Sequence, residues 1–294
     1  MGAGPGLRAL VKVNLTLHVG GLKADGYHPV SSACVFPDVG DEIALGRRDS
    51  AFSVVVDGPE GAALQNLLPK DNLVLRAAAL LHGRVPIAPR RIYLTKTVPA
   101  AAGIAGGTAD AAAVLVLLNR EATSPLPDAA LIRLSRKLGA DGPVCTAACL
   151  AGGGAWMAEG DGDRVRRLPS PAPFSVVLAN DRVPVPTGSV FGLFDAAGRP
   201  GSLTQPVGDI RTGAGLIRFC RLGRNDLRGA AMTVSPAIGP LEDRVAALPG
   251  CAFARMSGSG GTVFGLFASR TAADRAATRL RASGLWSVAA DLLR

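Results

Sequence analysis

The sequence has few aromatic residues and no apolar run long enough to cross a membrane. Aromatic side chains make up 4 % of the 294 residues, so alanine, valine and leucine must fill most of a core. A membrane-spanning helix needs about 20 consecutive apolar residues, and no run approaches that length. Residues 1–10 lack the apolar segment of a secretory signal. These absences predict a cytoplasmic protein with no membrane partner.

Paired cysteines and long basic runs are also missing. The five cysteines are scattered without a C-x-x-C pair, which indicates reduced thiols and no metal site built from protein side chains. The net charge is +9, but the basic residues are dispersed, so no nucleic-acid surface is expected. Hydrophobic residues reach 48 %, which excludes a disordered chain. The length fits one large or two modest domains.

Local sequence patterns predict several strands, a turn and a helix. Apolar residues alternate with polar ones over 11–19, which indicates a strand with one buried face and places Lys12 and Asn14 side by side on the other. Residues 23–28 (KADGYH) form a turn around an Asp-Gly pair. Residues 71–83 predict a helix with Asp71 as its N-cap. Further strands are expected near 51–56, 91–96, 174–179, 252–256 and 262–267.

Small residues fill the segment from 99 to 110 (PAAAGIAGGTAD), which leads into a helix. A glycine-rich helix N-terminus is an anion site, because its first N–H groups lack partners and no Cβ blocks a phosphate. The loop lacks the lysine of a Walker A motif and the spacing of a Rossmann fingerprint. A plain tight turn before a buried helix remains an equal alternative. Residues 257–261 (SGSGG) form a second loop of this kind, and two such loops favour a shared ligand.

Eight sequence motifs occur in a fixed order along nearly the whole chain. Besides the loop at 99–109, they are 12–17 (KVNLTL), 25–28 (DGYH), 71–77 (DNLVLRA), 138–143 (LGADGP), 186–191 (PTGSVF), 225–227 (NDL) and 256–264 (MSGSGGTVF). This set resembles the superfamily named after galactokinase, homoserine kinase, mevalonate kinase and phosphomevalonate kinase (GHMP kinases). Within it, D-G-Y-H and K-x-N-L resemble the family that phosphorylates 4-diphosphocytidyl-2-C-methyl-erythritol.

The resemblance implies an α+β fold of two domains. These are an N-terminal domain over 1–155, like domain 2 of ribosomal protein S5, and a ferredoxin-like C-terminal domain over 156–294. It implies a kinase of non-mevalonate isoprenoid synthesis that uses ATP with Mg²⁺ and takes a small cytidine nucleotide as substrate. The expected assembly is a monomer or homodimer. Another GHMP-type kinase with a different alcohol, or a non-catalytic nucleotide- or RNA-binding protein, remains an alternative.

The resemblance also assigns roles to residues. Asp141 would be the base that accepts the hydroxyl proton, and Lys12 would assist it; without the resemblance, Asp141 is better explained as a helix cap or a turn residue. The substrate residues would be Asn14, Tyr27, His28, Thr187 and Phe191, with cytosine stacked between the two aromatic rings. The second glycine loop comprises Ser257, Gly258, Ser259 and Gly260. The ATP residues would be Asn72, Lys96, Pro99, Ala100, Ala101, Ala102, Gly103, Ile104, Ala105, Gly106, Gly107, Thr108 and Ala109.

Four positions depart from the pattern of the family. Ala101, Ala102 and Ala105 stand where glycine is common, and Gly142 replaces the usual valine after the predicted base. Alanine is unfavourable at positive φ, so either these positions have ordinary dihedral angles or the loop is reshaped. No carboxylate is predicted as a magnesium ligand; Asp110, in the first turn of the predicted helix, fits a cap better.

Overall fold

The structure, a computed structural model, describes residues 6–65, 67–198 and 200–294. Its strands are β1 (Gly6–Leu10), β2 (Val13–Asn14), β3 (His18–Val19), β4 (Val30–Phe36), β5 (Gly40–Arg48), β6 (Ser53–Asp57), β7 (Arg90–Thr95), β8 (Gly154–Gly160), β9 (Arg164–Arg167), β10 (Ser175–Asn180), β11 (Cys251–Met256), β12 (Thr262–Phe267) and β13 (Trp286–Asp291). Its α-helices are α1 (Leu73–His82), α2 (Gly106–Arg120), α3 (Asp128–Ser135), α4 (Gly142–Ala151), α5 (Thr187–Ala196), α6 (Gly213–Leu222), α7 (Arg228–Val234), α8 (Ile238–Ala246) and α9 (Arg270–Arg281). Single turns of 3₁₀ helix occur at Gly61–Leu64 and Arg136–Leu138.

The chain divides by its contacts into two units, and each is made of several segments. Unit 1 comprises residues 1–11, 39–100 and 106–152, and unit 2 comprises 12–38, 101–105 and 153–294. The predicted boundary at 155–156 lies close to the end of unit 1. Unit 2 nevertheless takes in two earlier segments, so no single cut separates the units.

Unit 1 is built around the buried helix α2. A sheet in the order β1-β5-β7-β6, with β6 parallel to β7 and the other pairs antiparallel, packs against it together with α1 and α4. Residues 109–119 of α2 are all buried, and their many alanines allow neighbouring elements to approach closely. This core fixes the position at which α2 begins. Residues 106–109 of the predicted loop form the first turn of α2, and residues 99–105 remain as the first glycine loop.

Unit 2 contains two sheets. In one, β2, β4, β8 and β9 follow in that order and β3 also pairs with β4. In the other, β11, β12, β10 and β13 form antiparallel pairs, and α8 and α9 pack against it. Helices and largely antiparallel strands thus occur in both units, which confirms the predicted α+β class.

Most predicted elements are present, with two corrections. Residues 11–19 form two short strands, and both faces are buried: Lys12, Asn14, Thr16 and His18 are at most 5 % exposed. The polar face is buried because its side chains find partners in unit 2; Thr16 Oγ1, for example, donates to Gln205 Oε1 at 2.8 Å. The N-cap of α1 is Asn72, not Asp71, and its Oδ1 accepts from the N–H groups of residues 74 and 75.

Candidate active site

The two glycine loops contact each other within unit 2. The carbonyl of Ala102 accepts from the N–H of Thr262 at 3.1 Å. A Cβ placed on Gly103, whose φ is +71°, would lie 2.2 Å from the carbonyl oxygen of Gly260. A Cβ on Gly258 would lie 2.3 Å from the carbonyl oxygen of Gly103. Both glycines are therefore required by backbone-to-backbone packing, and the loops far apart in sequence form one surface.

The alanines of the first loop do not behave alike. Ala101 has φ +52° and Ala105 has φ +54°, whereas Ala102 is not among the positive-φ residues. Of the two alternatives drawn from the sequence, ordinary dihedral angles therefore apply to Ala102 but not to Ala101 or Ala105. The loop keeps a left-handed backbone at two alanines, and a left-handed conformation costs an L-residue about 1–2 kcal/mol.

Lys12 and Asn14 lie against these loops. The N–H of Lys12 donates to the carbonyl of Ile104 at 3.0 Å. The N–H of Asn14 donates to Ser257 Oγ at 3.1 Å, and Asn14 Nδ2 donates to Ser32 Oγ at 2.7 Å. The predicted catalytic lysine and the predicted substrate asparagine are therefore neighbours of both glycine loops in unit 2.

Asn225 contacts the second glycine loop, and the sequence assigned it no role. Its Nδ2 donates to the carbonyls of Met256 and Gly258, at 3.1 and 2.9 Å. Its Oδ1 accepts from the N–H of Leu227 at 3.1 Å, which closes a local turn. The N-D-L motif was the available signal, and its asparagine holds the second glycine loop in shape.

The predicted base-binding residues occur together in unit 2. The ring centroids of His28 and Phe191 are 5.2 Å apart, and Tyr27, one residue before the histidine, is 51 % exposed. Thr187 Oγ1 is hydrogen-bonded to Ser259 Oγ at 2.8 Å, which links the start of α5 to the second glycine loop. Flat rings with polar neighbours can hold a nucleobase by stacking and by hydrogen bonds to its edge.

Both ring nitrogens of His28 face acceptors. Nδ1 lies 2.9 Å from the carbonyl oxygen of Gly20, and Nε2 lies 3.0 Å from Asp195 Oδ1. Carbonyl and carboxylate oxygens only accept, so a protonated nitrogen of the ring can donate to the oxygen that it faces. His28 and Asp195 also line a cavity of about 210 Å³ whose other walls include Leu22 and Phe194.

The helix N-termini of α1 and α2 meet in unit 1. A Cβ on Gly107 would lie 3.5 Å from a methyl carbon of Leu73, the first residue of α1. Asn72, which caps α1, lines a cavity of about 470 Å³ together with mostly apolar side chains such as Phe52 and Val54. Two positive helix ends beside an apolar cavity are suited to an anion attached to a flat ring.

A buried ionic cluster lies under the start of α2. Lys96 Nζ donates to Asp41 Oδ2 and, at 3.2 Å, to Asp110 Oδ2, and all three residues are at most 2 % exposed. Burial works against the charge of Lys96, but Asp110 and Asp41 together keep its pKa above the ordinary value. Burial, reinforced by Asp41, raises the pKa of Asp110 from 3.8 to about 7. Gly106 is close by, since a Cβ there would lie 3.4 Å from Lys96 Nζ.

Asp141 stands at the N-cap position of α4 in unit 1, yet its side chain makes no capping hydrogen bond. The explanation as a helix cap therefore does not apply, whereas Asp141 does lie in a turn. The following Gly142 is explained by packing, because a Cβ there would lie 2.1 Å from the carbonyl oxygen of Ser135. The valine usual in the family could not fit without moving that backbone.

Comparisons with known proteins agree with the fold. Residues 72–153 match the family described as GHMP kinases N terminal domain, and residues 212–284 match GHMP kinases C terminal. A crystal structure of 4-(cytidine 5'-diphospho)-2C-methyl-D-erythritol kinase superimposes with a TM-score of 0.75 at 31 % identity, covering 98 % of this chain and 99 % of the other. The mevalonate kinase of Methanococcus jannaschii shares the fold at 11 % identity, with a TM-score of 0.66 and coverage of 100 % and 99 %.

Two bacterial relatives match over almost their whole length. The 4-diphosphocytidyl-2-C-methyl-D-erythritol kinase of Cereibacter sphaeroides (strain ATCC 17029) is 43 % identical, covering 97 % of this chain and 98 % of the relative. The protein of the same name from Methylobacterium radiotolerans is also 43 % identical, covering 98 % of each. The chain therefore belongs to the GHMP kinases, which are ATP-dependent small-molecule kinases, and within them to the 4-diphosphocytidyl-2-C-methyl-D-erythritol kinase family.

Proposed function

We propose that this chain transfers the γ-phosphate of ATP to the 2-hydroxyl of 4-diphosphocytidyl-2-C-methyl-D-erythritol, giving the 2-phosphate and ADP. The observation that carries the proposal is the 43 % identity, over 97 % of the chain, to a kinase named for that substrate. The relative's name supplies the substrate, and the chain's own residues supply a physical account of how it would be handled.

ATP would bind at the first glycine loop and the N-termini of α1 and α2. The N–H groups at the start of α2 would face phosphate oxygens, because Gly106 and Gly107 leave no Cβ in the way. The mostly apolar cavity beside Asn72 would receive the adenine. Thr108 and the backbone of 99–105 would complete the phosphate contacts.

Magnesium would arrive bound to the ATP phosphates, where it neutralises charge on the transferring group. Mg²⁺ usually keeps several waters and needs only one or two protein ligands. Across residues 6–65, 67–198 and 200–294, no group of three His, Cys, Asp or Glu side chains is arranged to hold a metal ion. The ion would therefore depend mainly on phosphate and water oxygens.

The cytidine end of the substrate would bind in unit 2. Tyr27 and Phe191 would stack on the base, while His28, held by Asp195, would face its edge. Stacking of a base on an aromatic ring contributes about 1–3 kcal/mol. Asn14 and Thr187, each hydrogen-bonded to a serine of the second glycine loop, would contact the remainder of the substrate.

Asp141 would accept the proton of the attacking hydroxyl, and Lys12 would stabilise the charge that develops on the transferred phosphoryl group. Phosphoryl transfer depends mostly on positioning and electrostatics, so one carboxylate and one ammonium suffice for the protein's part.

The test is an assay of ADP release with ATP, Mg²⁺ and the cytidine diphosphate-linked substrate. Asp141→Asn and Lys12→Ala should each lower kcat by about 100-fold or more. The exposed residues Asp128 and Lys137 supply matched controls, and Asp128→Asn and Lys137→Ala should keep full activity. Retained turnover in Asp141→Asn would refute the role of Asp141 as the base. ADP release that does not depend on the cytidine substrate would refute that substrate as the phosphate acceptor.

The free cysteines bear on the location of the protein. All five cysteines are free thiols, which fits a reducing compartment, and we propose the cytoplasm. No helix in the described parts of the chain is long and apolar enough to cross a membrane. A monomer or homodimer without a nucleic-acid partner remains the prediction, and light scattering at two concentrations would test the assembly.

A further inference from the structure

The ionic cluster of Asp41, Lys96 and Asp110 joins the two ends of the first glycine loop. On the N-terminal side, Asp41 Oδ1 accepts from the N–H groups of Thr97 at 2.6 Å and Val98 at 3.0 Å, directly before Pro99. On the C-terminal side, Asp110 lies one turn into α2. Lys96 connects the two sides, because its Nζ donates to a carboxylate oxygen of each aspartate.

The ammonium of Lys96 is enclosed and already occupied. The residue is 2 % exposed, and its charge is met by carboxylates from two different elements. Two of its three N–H donors are taken by these carboxylates, and at 2 % exposure the ammonium would have to move out of this pocket to reach a phosphate. Such a move would leave Asp41 and Asp110 buried without a countercharge, which is strongly unfavourable.

We propose that Asp41, Lys96 and Asp110 are positioning residues that fix both ends of the loop spanning residues 99–105, and that Lys96 supports ATP binding through this loop without contacting a phosphate. This inference rests on the proposed ATP site. It gives Asp41 a role in substrate binding and changes the role expected for Lys96 from ligand to support.

The three members of the cluster are unequally satisfied. Asp41 keeps the N–H donors of Thr97 and Val98 if Lys96 is removed. Asp110 depends on Lys96, since its Oδ1 has no hydrogen-bond partner in the described parts of the chain. Loss of Lys96 therefore removes the hydrogen-bond partner of Asp110, whereas Asp41 keeps its backbone donors. Replacing both members of a buried ion pair by apolar residues of similar size is often tolerated.

This asymmetry allows a rescue experiment. Lys96→Met should raise KM for ATP at least tenfold and lower Tm, while KM for the alcohol substrate changes less than twofold. Lys96→Met combined with Asp110→Leu should bring KM for ATP back at least fivefold, because the buried carboxyl group that Lys96→Met leaves without a partner is gone. Lys70→Met, at an exposed lysine, is the matched control and should match the unsubstituted protein.

A direct phosphate contact predicts the opposite result. The ammonium would then be missing from both variants, and the double variant would bind ATP as weakly as Lys96→Met, which would overturn the proposal. If Lys96→Met does not fold, the double variant is compared with the unsubstituted protein. A KM for ATP within threefold would support positioning, and a rise above tenfold would overturn it.

Binding of a fluorescent ATP analogue separates this inference from the proposed function. If no alcohol is phosphorylated, the proposed substrate fails, but the same three proteins can still be compared by their affinity for the analogue. Restored affinity in the double variant supports positioning. Equal loss in both variants refutes it. An unsubstituted protein that does not bind the analogue overturns the ATP site and this inference with it.

Discussion

Replacing Ala101 and Ala105 by glycine should stabilise the protein. Both alanines have φ values above +50° in the first glycine loop, in a region that glycine occupies without strain. Each substitution should recover about 1–2 kcal/mol of backbone strain. Glycine also gives the unfolded chain more freedom, which costs about 0.4–1 kcal/mol. The net gain is therefore about 0.5–1 kcal/mol for each site.

A thermal unfolding series with single and double variants tests this estimate. For a chain of this size a gain of 1 kcal/mol raises Tm by about 2–4 °C, so the double variant should gain several degrees. Ala102→Gly is the control, because Ala102 is buried in the same loop without a positive φ. It should lose stability through the missing methyl group and the added chain entropy.

The difference in Tm between the variants at the two positive-φ alanines and Ala102→Gly decides the outcome. If Ala101→Gly and Ala105→Gly lower Tm as much as Ala102→Gly does, the left-handed backbone at these alanines is not a source of strain. The reasoning about this loop would then fail, although the positions of the glycines would be unaffected.

Three further predictions follow from other parts of the site. Burial and Asp41 raise the pKa of Asp110 from 3.8 to about 7. The folded protein therefore binds a proton there more tightly than the unfolded chain does, and unfolding free energy should fall as pH rises from about 4 to about 7. Asp110→Asn should flatten that part of a Tm–pH profile, and an unchanged slope would exclude Asp110 as its source. Gly103→Ala would place a Cβ 2.2 Å from a backbone oxygen and should unfold or severely destabilise the protein, whereas Gly188→Ala, with open space around it, should change Tm by only a few degrees. Asp195→Ala should raise KM for the cytidine substrate about three- to tenfold, because it releases His28, and should leave KM for ATP unchanged. An equal rise in both KM values would argue against a role specific to the binding of cytosine.

The sequence was most informative where chemistry requires a particular residue type at a particular spacing. Both glycine loops were predicted, as were the strand β7 before the first loop and the helix α2 after it. Small residues and apolar runs leave a clear local pattern. The α+β class and the kinase family followed from the order of the motifs and are confirmed by the relatives.

Residues that act through distant partners could not be predicted in this way. Asp41 follows a single glycine and has no motif, and its importance depends on a lysine 55 positions away. The burial of the polar face of residues 12–18 depends on partners such as Gln205, which no local periodicity reveals. Asn72 and Asp71 are both good capping residues, and only the backbone geometry shows which of them begins the helix.

The segment 101–105 belongs to unit 2, whereas the residues on both sides of it belong to unit 1. Its shape is set by hydrogen bonds from Lys12 and Thr262 and by close packing on Gly258. This loop therefore cannot be transferred to another protein on its own. A chimaera that exchanged only residues 99–109 with another kinase would contain the motif without the contacts that shape it. Residues near 12 and 257–262 would have to be exchanged with it.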